Sequence, residues 1–495
     1  MVKYECSRCG YESTSRQKYE RHIVSRTNPC STKLQETKTN FAELIKAIEM
    51  LEQSVEETMR IVNQIKIVFS SILPKPSVEA APDNSIIPAP PVSLTSSTST
   101  DSFKFIDLFC GIGGFHQAMA SLGGTCVLAC DIDPHCREVY EKNYGLKPHP
   151  DVTKLDTDTM PDFDVLCGGF PCQAFSHSGK QLGFEDTRGT LFRDVARILK
   201  NKQPKYFLLE NVKNLKGHDG GRTWEVIYKA LTEVGYVTYE SPFVISPHML
   251  GVPQHRERVM ILGVRKDLAP SVLPPIPTVA PPADLHISKI LESGEVGDEY
   301  KLTRADRQVL EKWEEFVQHF KAHNTKLPTF PIWTDVWDMT TAFSDEPEWK
   351  QKFINQNQDF FKAHKGFLEP WLASARAMEP FKGARRKFEW QAGAFQSGDS
   401  LWAQLFQFRP SGIRVKRANY SPALVAMAQI VYVGEKGRKL TPREVARLQS
   451  FPESFQLPAS NSVAYKQFGN AVNVEVIKWA AQHLFGIVGS SLTHV

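Results

Sequence analysis

Long apolar runs are missing from this 495-residue chain, and so is a positively charged start leading into an apolar core. No membrane span and no secretory signal are therefore expected. A large excess of charge is missing too. The 59 Lys and Arg against 55 Asp and Glu leave +4, so the distribution of charge rather than its sum must speak for partners. Cysteine is sparse and odd in number. The nine residues Cys6, Cys9, Cys30, Cys110, Cys126, Cys130, Cys136, Cys167 and Cys172 cannot all pair, which argues for reduced thiols in an intracellular protein. Composition is that of a soluble protein, and the length suits about three domains.

What is present begins with a metal-like spacing, Cys6-x2-Cys9-x12-His22-x7-Cys30. Thiolate and imidazole ligands in a tetrahedral set suit structural Zn2+. Residues 1–38 resemble a zinc finger with Cys as its last ligand, although the gap from His22 to Cys30 is wide. A tail with incidental cysteines is the alternative. Eight Lys and Arg against four Glu in this segment leave nucleic-acid contact open. A heptad follows over 39–73. Phe41, Ile48, Val55, Val62 and Phe69 fall at a-like positions, and Leu44, Leu51, Thr58, Ile65 and Ile72 at d-like ones. That pattern predicts a coiled-coil helix and self-association through 41–72; packing on the chain's own catalytic domain is the alternative. Pro74 ends the helix, and Pro, Ser and Thr make 74–102 a linker.

The rest is organised around Gly168-Gly169-Phe170-Pro171-Cys172-Gln173. Phe163–Cys167 reads as a short buried strand, so Cys172 is delivered at the carboxyl edge of a sheet, where open α/β sheets bind ligands. A structural thiol is the bland reading of Cys172, a nucleophile the sharp one. Upstream, Phe103–Phe109 reads as a strand that breaks at Cys110-Gly111-Ile112-Gly113-Gly114, with a helix from about Phe115. Such a turn lets a ligand approach the backbone but cannot name it. A second strand, Cys126–Cys130, ends at Asp131 and Asp133, where a carboxylate suits a ribose diol.

These blocks then carry a resemblance. Asp107-Leu108-Phe109-x-Gly111-x-Gly113-Gly114, Gly169–Gln173, Glu210-Asn211-Val212, Gln254-x-Arg256-x-Arg258, Arg438–Glu444 and Gln467–Val472 stand in the order found in DNA (cytosine-5) methyltransferases. The likeness covers about 103–488 and is strongest to bacterial enzymes of restriction-modification systems. It implies an α/β fold, a doubly wound, mostly parallel sheet with a smaller target-recognition domain. It also implies methyl transfer from S-adenosylmethionine to carbon 5 of a flipped cytosine in double-stranded DNA. Cys172 is the implied nucleophile, and Glu210 the acid at ring nitrogen 3. Arg258 is the donor to the base carbonyl, with Arg256 as support or phosphate ligand. The implied cofactor set is Phe109, Gly111, Gly113, Gly114, Asp131, Asp151, Val152, Pro171, Leu191, Asn470 and Val472. A polar loop with Ser176, Ser178, Lys180 and Arg188 is expected to close over DNA.

Between these blocks, 382–417 holds eight Lys and Arg against two acids, and Arg414, Lys416 and Arg417 are read as DNA contacts. A solvated basic loop is the bland alternative. Residues 303–323 show helical spacing of Val309, Leu310, Trp313, Phe316, Val317 and Phe320, read as core. The expected domains are 1–38, 39–73, 74–102, a catalytic domain at 103–265, target recognition at 266–437, and completion of the catalytic domain at 438–490. The chain is expected to be cytoplasmic or DNA-associated, and a cognate restriction endonuclease is an open possibility. Methylation of cytosine in RNA, or a decayed enzyme retained as a DNA-binding regulator, are the competing functions.

Overall fold

The computed structural model describes residues 4–5, 12–13, 102–171, 191–337, 346–424 and 429–489. Two compact units divide the chain at Ser96 and Ser97. In the first, Tyr4–Glu5 pairs antiparallel with Glu12–Ser13, bracketing Cys6 and Cys9 in sequence. The expected metal ligands Cys6, Cys9, His22 and Cys30, the heptad 41–72 and nearly all of the linker lie outside the described residues.

The second unit is built on a seven-stranded sheet. Its strands are β1 (Lys104–Leu108), β2 (Thr125–Cys130), β3 (Val165–Gly169), β4 (Tyr206–Val212), β5 (Tyr236–Thr238), β6 (Phe243–Ile245) and β7 (Arg258–Arg265). The order is β2-β1-β3-β4-β7-β5, with β6 also on β7. β1 to β4 pair parallel. β7 runs antiparallel to β4, β5 and β6. β7 alone runs against the other six strands, so the sheet is mostly parallel, as expected, with one reversed strand: the chain enters β7 from the short turn after Gln254–His255, without a crossover helix to keep its direction.

Strand alternation splits the core between two faces. Phe105, Val165, Cys167, Leu208, Met260 and Leu262 face one side, with helix α1 (Gly114–Ser121) and the last helix, Val474–Gly489. Ile106, Leu166, Phe207, Leu209, Val259 and Ile261 face the other, against Phe192–Lys202 and Arg222–Glu233. Helix α2 (Pro134–Tyr144) starts where Asp133 caps it, its carboxylate accepting from the His135 amide at 2.9 Å, and stops at left-handed Gly145.

Two strands outrun their sequence expectation. β3 continues through Gly168 and Gly169, and β4 continues through Glu210, Asn211 and Val212. Pairing is the reason. Glu210 is opposite Gly169 on one side and Met260 on the other, so the ladder carries the polar residues to the sheet's end.

A six-stranded second sheet occupies most of the segment after Arg265. It orders Ile332–Trp333, Lys387–Gln391, Gly412–Lys416, Leu405–Arg409, Tyr432–Val433 and Arg438–Lys439. The helix Arg304–Ala322 packs Val309, Leu310, Trp313, Phe316, Val317 and Phe320 under it with Phe388, Phe406 and Val415, as the helical spacing predicts. Its last strand, Arg438–Lys439, lies past position 437. A buried ion pair follows: Arg438 meets Glu444 through two nitrogens, at 2.8 and 2.6 Å, within the capping box Thr441–Glu444. No helix among the described residues is long and apolar enough to cross a membrane.

Candidate active site

A cavity of about 420 Å³ opens at the carboxyl ends of the parallel strands. The turn after β1 forms one wall. Phe109 takes a left-handed φ of 55°, which a residue with a Cβ adopts only at a cost, and Gly113 takes φ 88°. A Cβ on Gly113 would overlap the Tyr144 ring, whose hydroxyl donates to the Ile112 and Gly113 carbonyls, both at 3.1 Å. Tyr144 stacks on His116 at 3.8 Å, and burial pushes His116 down to about 4, so it is neutral at pH 7. Gly114 lies against Val472, which closes the turn from the carboxyl-terminal segment.

Asp131, after β2, fixes the turn from the side. Its carboxylate accepts from the Gly111 amide and from the Asp133 amide, each at 2.8 Å. Burial raises its pKa, and those two amides oppose the rise.

β3 and β4 supply the opposite wall. Burial raises the Glu210 carboxyl above its ordinary range; the charges of Arg258 and then Arg256 pull it back by less. Arg258 Nε stands 3.0 Å from Glu210 Oε1. Gly169 faces Glu210 across the ladder, and a Cβ there would lie in ordinary contact with Glu210 Oε2, at 3.5 Å. Next to Glu210, Asn211 donates from Nδ2 to the Phe170 carbonyl at 2.9 Å. That bond holds the chain just ahead of Pro171, which lines the cavity. Arg256 is buried and donates to the carbonyls of Leu424 at 2.9 Å and Ala471 at 3.1 Å. It ties the turn before β7 to two later segments. Burial, then the like charge of Arg258, lowers its pKa, and Glu210 opposes this.

The cavity thus brings together Phe109, Gly111, Asp131, Pro171, Glu210, Arg256, Arg258, Asn470 and Val472. Gly113 and Gly114 stand behind its wall. Asp151, Val152 and Leu191 are not among the residues lining it. Asp151 caps the turn Val152–Lys154, accepting from the Thr153 hydroxyl at 2.7 Å and amide at 3.0 Å, and the hydroxyl contact is the main cause of its lowered pKa. Cys172, Ser176, Ser178, Lys180 and Arg188 lie outside the described residues. On the smaller sheet, Arg414 pairs with Glu389 at 3.3 Å. Arg417 donates to the carbonyls of Ala392 and Ala394 and pairs with Asp399 at 3.2 Å. Lys416 is half-buried, and burial lowers its pKa.

Sequence reasoning missed Cys110, Cys136, Gln467 and the positioning bond of Asn211. Asn211, Cys110 and Gln467 each stand inside one of the motifs above without an assigned job, and nothing local marks Cys136. Among the described residues no group of three or more His, Cys, Asp or Glu could hold a metal ion.

A sheet that gathers a glycine turn, a buried carboxyl and two arginines at its carboxyl edge defines an α/β enzyme with a small-ligand site. The family model for C-5 cytosine-specific DNA methylases matches residues 103–486, and the chain belongs to that family: it is a DNA (cytosine-5) methyltransferase. It is 34% identical over 480 residues to the type II methyltransferase M.AluI of Cellulosimicrobium cellulans, covering 77% of this chain and 92% of that one. It is 36% identical to M.DsaV of Dactylococcopsis salina, covering 78% and 86%. To M.HhaI of Haemophilus parahaemolyticus the identity is 32%, covering 79% and 95%.

Proposed function

We propose that this chain methylates cytosine within a specific sequence of duplex DNA through a covalent Cys172 adduct, with S-adenosylmethionine as methyl donor. The observation that carries this reading is the convergence of Glu210, Arg256 and Arg258 beside the anchored Phe170–Pro171 segment, in one cavity with Asp131 and the glycine turn.

The cavity fits the donor chemically. It offers an aromatic ring at Phe109, a half-buried carboxylate at Asp131 and an unpartnered buried carboxamide at Gln467. Asp131 would hold the ribose hydroxyls, and Asn470 the amino-acid end. Bound S-adenosylmethionine supplies an electrophilic methyl group.

The Cys172 thiolate adds to carbon 6 of a base rotated out of the duplex. Glu210, whose pKa burial raises, gives a proton to ring nitrogen 3, so electron density collects on carbon 5. Arg258 steadies Glu210 and donates to the base carbonyl. Carbon 5 then takes the methyl group and loses its proton to water. The Cys172–carbon 6 bond breaks, the thiolate leaves, and Glu210 recovers the proton from nitrogen 3. Arg256 positions the site through its two carbonyl contacts. Arg414 and Lys416, with the loop holding Ser176, Ser178, Lys180 and Arg188, contact DNA.

The antiparallel pair flanking Cys6 and Cys9 supports a zinc knuckle with His22 and Cys30. Residues 41–72 form its oligomerising helix, dimer first. Light scattering of the full chain and of residues 102–495 tests that, and equal monomer masses for both would sink it. Methyl transfer to duplex DNA and to transfer RNA, measured side by side, tests the substrate. Label on DNA supports the proposal, and label on RNA alone contradicts it.

A further inference from the structure

Around the larger sheet, three buried side chains leave every polar atom without a hydrogen bond: Asp107, Gln254 and Gln467. A native core satisfies such groups or uses them. Asp107 and Gln254 do not line the cavity, whereas Gln467 does. Gln467 is 3% exposed, yet neither its oxygen nor its nitrogen has a partner of normal geometry. The Cys136 thiol interacts with its side chain. That thiol is pushed up to about 12, chiefly by burial, so it stays neutral and is a weak partner for an amide.

The side chain is held where it stands. Gln467 sits in the helix Asn461–Asn470, whose Phe468 packs edge-on against Phe451 at 5.3 Å and Phe455 at 5.9 Å. Tyr465 donates to the Leu440 carbonyl at 2.7 Å, and Lys466 pairs with Asp133 at 3.5 Å. The helix therefore cannot turn Gln467 out to solvent without breaking its packing. Leaving an amide dry and unbonded costs about 1–3 kcal/mol, a cost that a bound ligand removes.

We infer that Gln467 is a ligand of the methyl donor, its carboxamide hydrogen-bonding the ribosyl and amino-acid part from the wall shared with Asp131, Cys136 and Asn470. This inference rests on the reading of the cavity as a S-adenosylmethionine site. An amide suits that part of the molecule because it donates and accepts at once, toward hydroxyl, carboxylate and ammonium groups. A leucine of similar volume would fill the space and form neither bond.

The test is calorimetric titration of the full chain, without DNA, with S-adenosylhomocysteine, the demethylated product, beside thermal melting of the ligand-free proteins. Gln467→Leu should weaken binding roughly 5- to 30-fold, the loss of one or two neutral hydrogen bonds. Its ligand-free melting temperature should hold or rise, because an unpaired buried amide has gone. Gln467→Glu keeps the size, loses the amide donor and sets a carboxylate near Asp131, and should weaken binding at least as much. Wild-type affinity in both variants overturns the assignment, as does a lower melting temperature with affinity unchanged, the signature of a structural role. Wild-type protein that fails to bind S-adenosylhomocysteine would overturn the reading of the cavity itself.

Discussion

The two sheets of the second unit treat charge in opposite ways. At the carboxyl edge of the larger sheet, buried groups are left with unused capacity. Burial raises the Glu210 pKa, Arg256 Nε has no partner, and Gln467 is unbonded. On the smaller sheet the charges are largely committed within the chain. Glu389 receives both Arg409 and Arg414, Asp306 receives Arg385, and Arg417 is shared among Ala392, Ala394 and Asp399. Beside the cavity, unfinished bonding marks where a substrate completes the site; Asp107, Gln254 and Arg409 Nε are unbonded away from it. A count of basic residues cannot tell committed charges from uncommitted ones, which is why 382–417 reads as a DNA face although several of its arginines are occupied internally.

Substitutions at the two sheets should therefore separate activity from stability. The largest effect is expected at Cys172→Ser. Turnover should fall on the order of 10⁴-fold or more while binding of DNA and S-adenosylhomocysteine persists, since a hydroxyl is far less ionised than a thiol. Single-turnover methyl transfer beside equilibrium binding checks it.

Glu210→Gln should lower kcat roughly 10²- to 10³-fold, the usual contribution of one proton donor. The sign of its pH dependence is fixed by the raised pKa. The acid is fully protonated below that pKa and loses its proton as pH rises through it, so wild-type activity should decline on the alkaline side. The glutamine variant should lack that limb in a pH–rate profile.

Arg438→Met addresses the opposite case. It leaves Glu444, fully buried, without the arginine that meets it at 2.6 Å. Stability should drop about 3 kcal/mol in chemical denaturation, because a buried charge loses its partner. Methylation by the folded fraction should change little. The smallest effect is expected at Arg417→Ala. A loss of about 1–2 kcal/mol with a modest change in DNA affinity would fit a guanidinium occupied by carbonyls and Asp399. A large loss of affinity at unchanged stability would instead move Arg417 from architecture to recognition.

Much of the larger sheet's edge was legible because each block ties a strand end to a special residue within a few positions. Gly111 and Asp131 follow from that, and Phe109, Pro171, Glu210 and Arg258 from the resemblance those blocks carry; all six line the cavity. Their supports were not legible, because they join positions far apart in sequence. Asn211 reaches Phe170 across 41 residues, and Arg256 reaches Ala471 across 215. The direction of β7 was equally hidden, since an apolar run reads the same whichever way it pairs. Asp151, a cofactor residue by resemblance, also caps the turn Val152–Lys154 through the Thr153 amide and hydroxyl, a local use its sequence position did not announce.

The central claim, a covalent route through Cys172, is tested most directly by trapping. DNA carrying 5-fluorocytosine at the target position has no carbon 5 proton to lose, so the adduct cannot resolve after methyl transfer. The account predicts a stable protein–DNA conjugate, dependent on S-adenosylmethionine, whose cross-linked peptide contains Cys172. Cys167 is fully buried, and its thiol is pushed well above its ordinary pKa by burial, so it should carry no adduct. No conjugate from active enzyme, or a conjugate through any other residue, would contradict the mechanism.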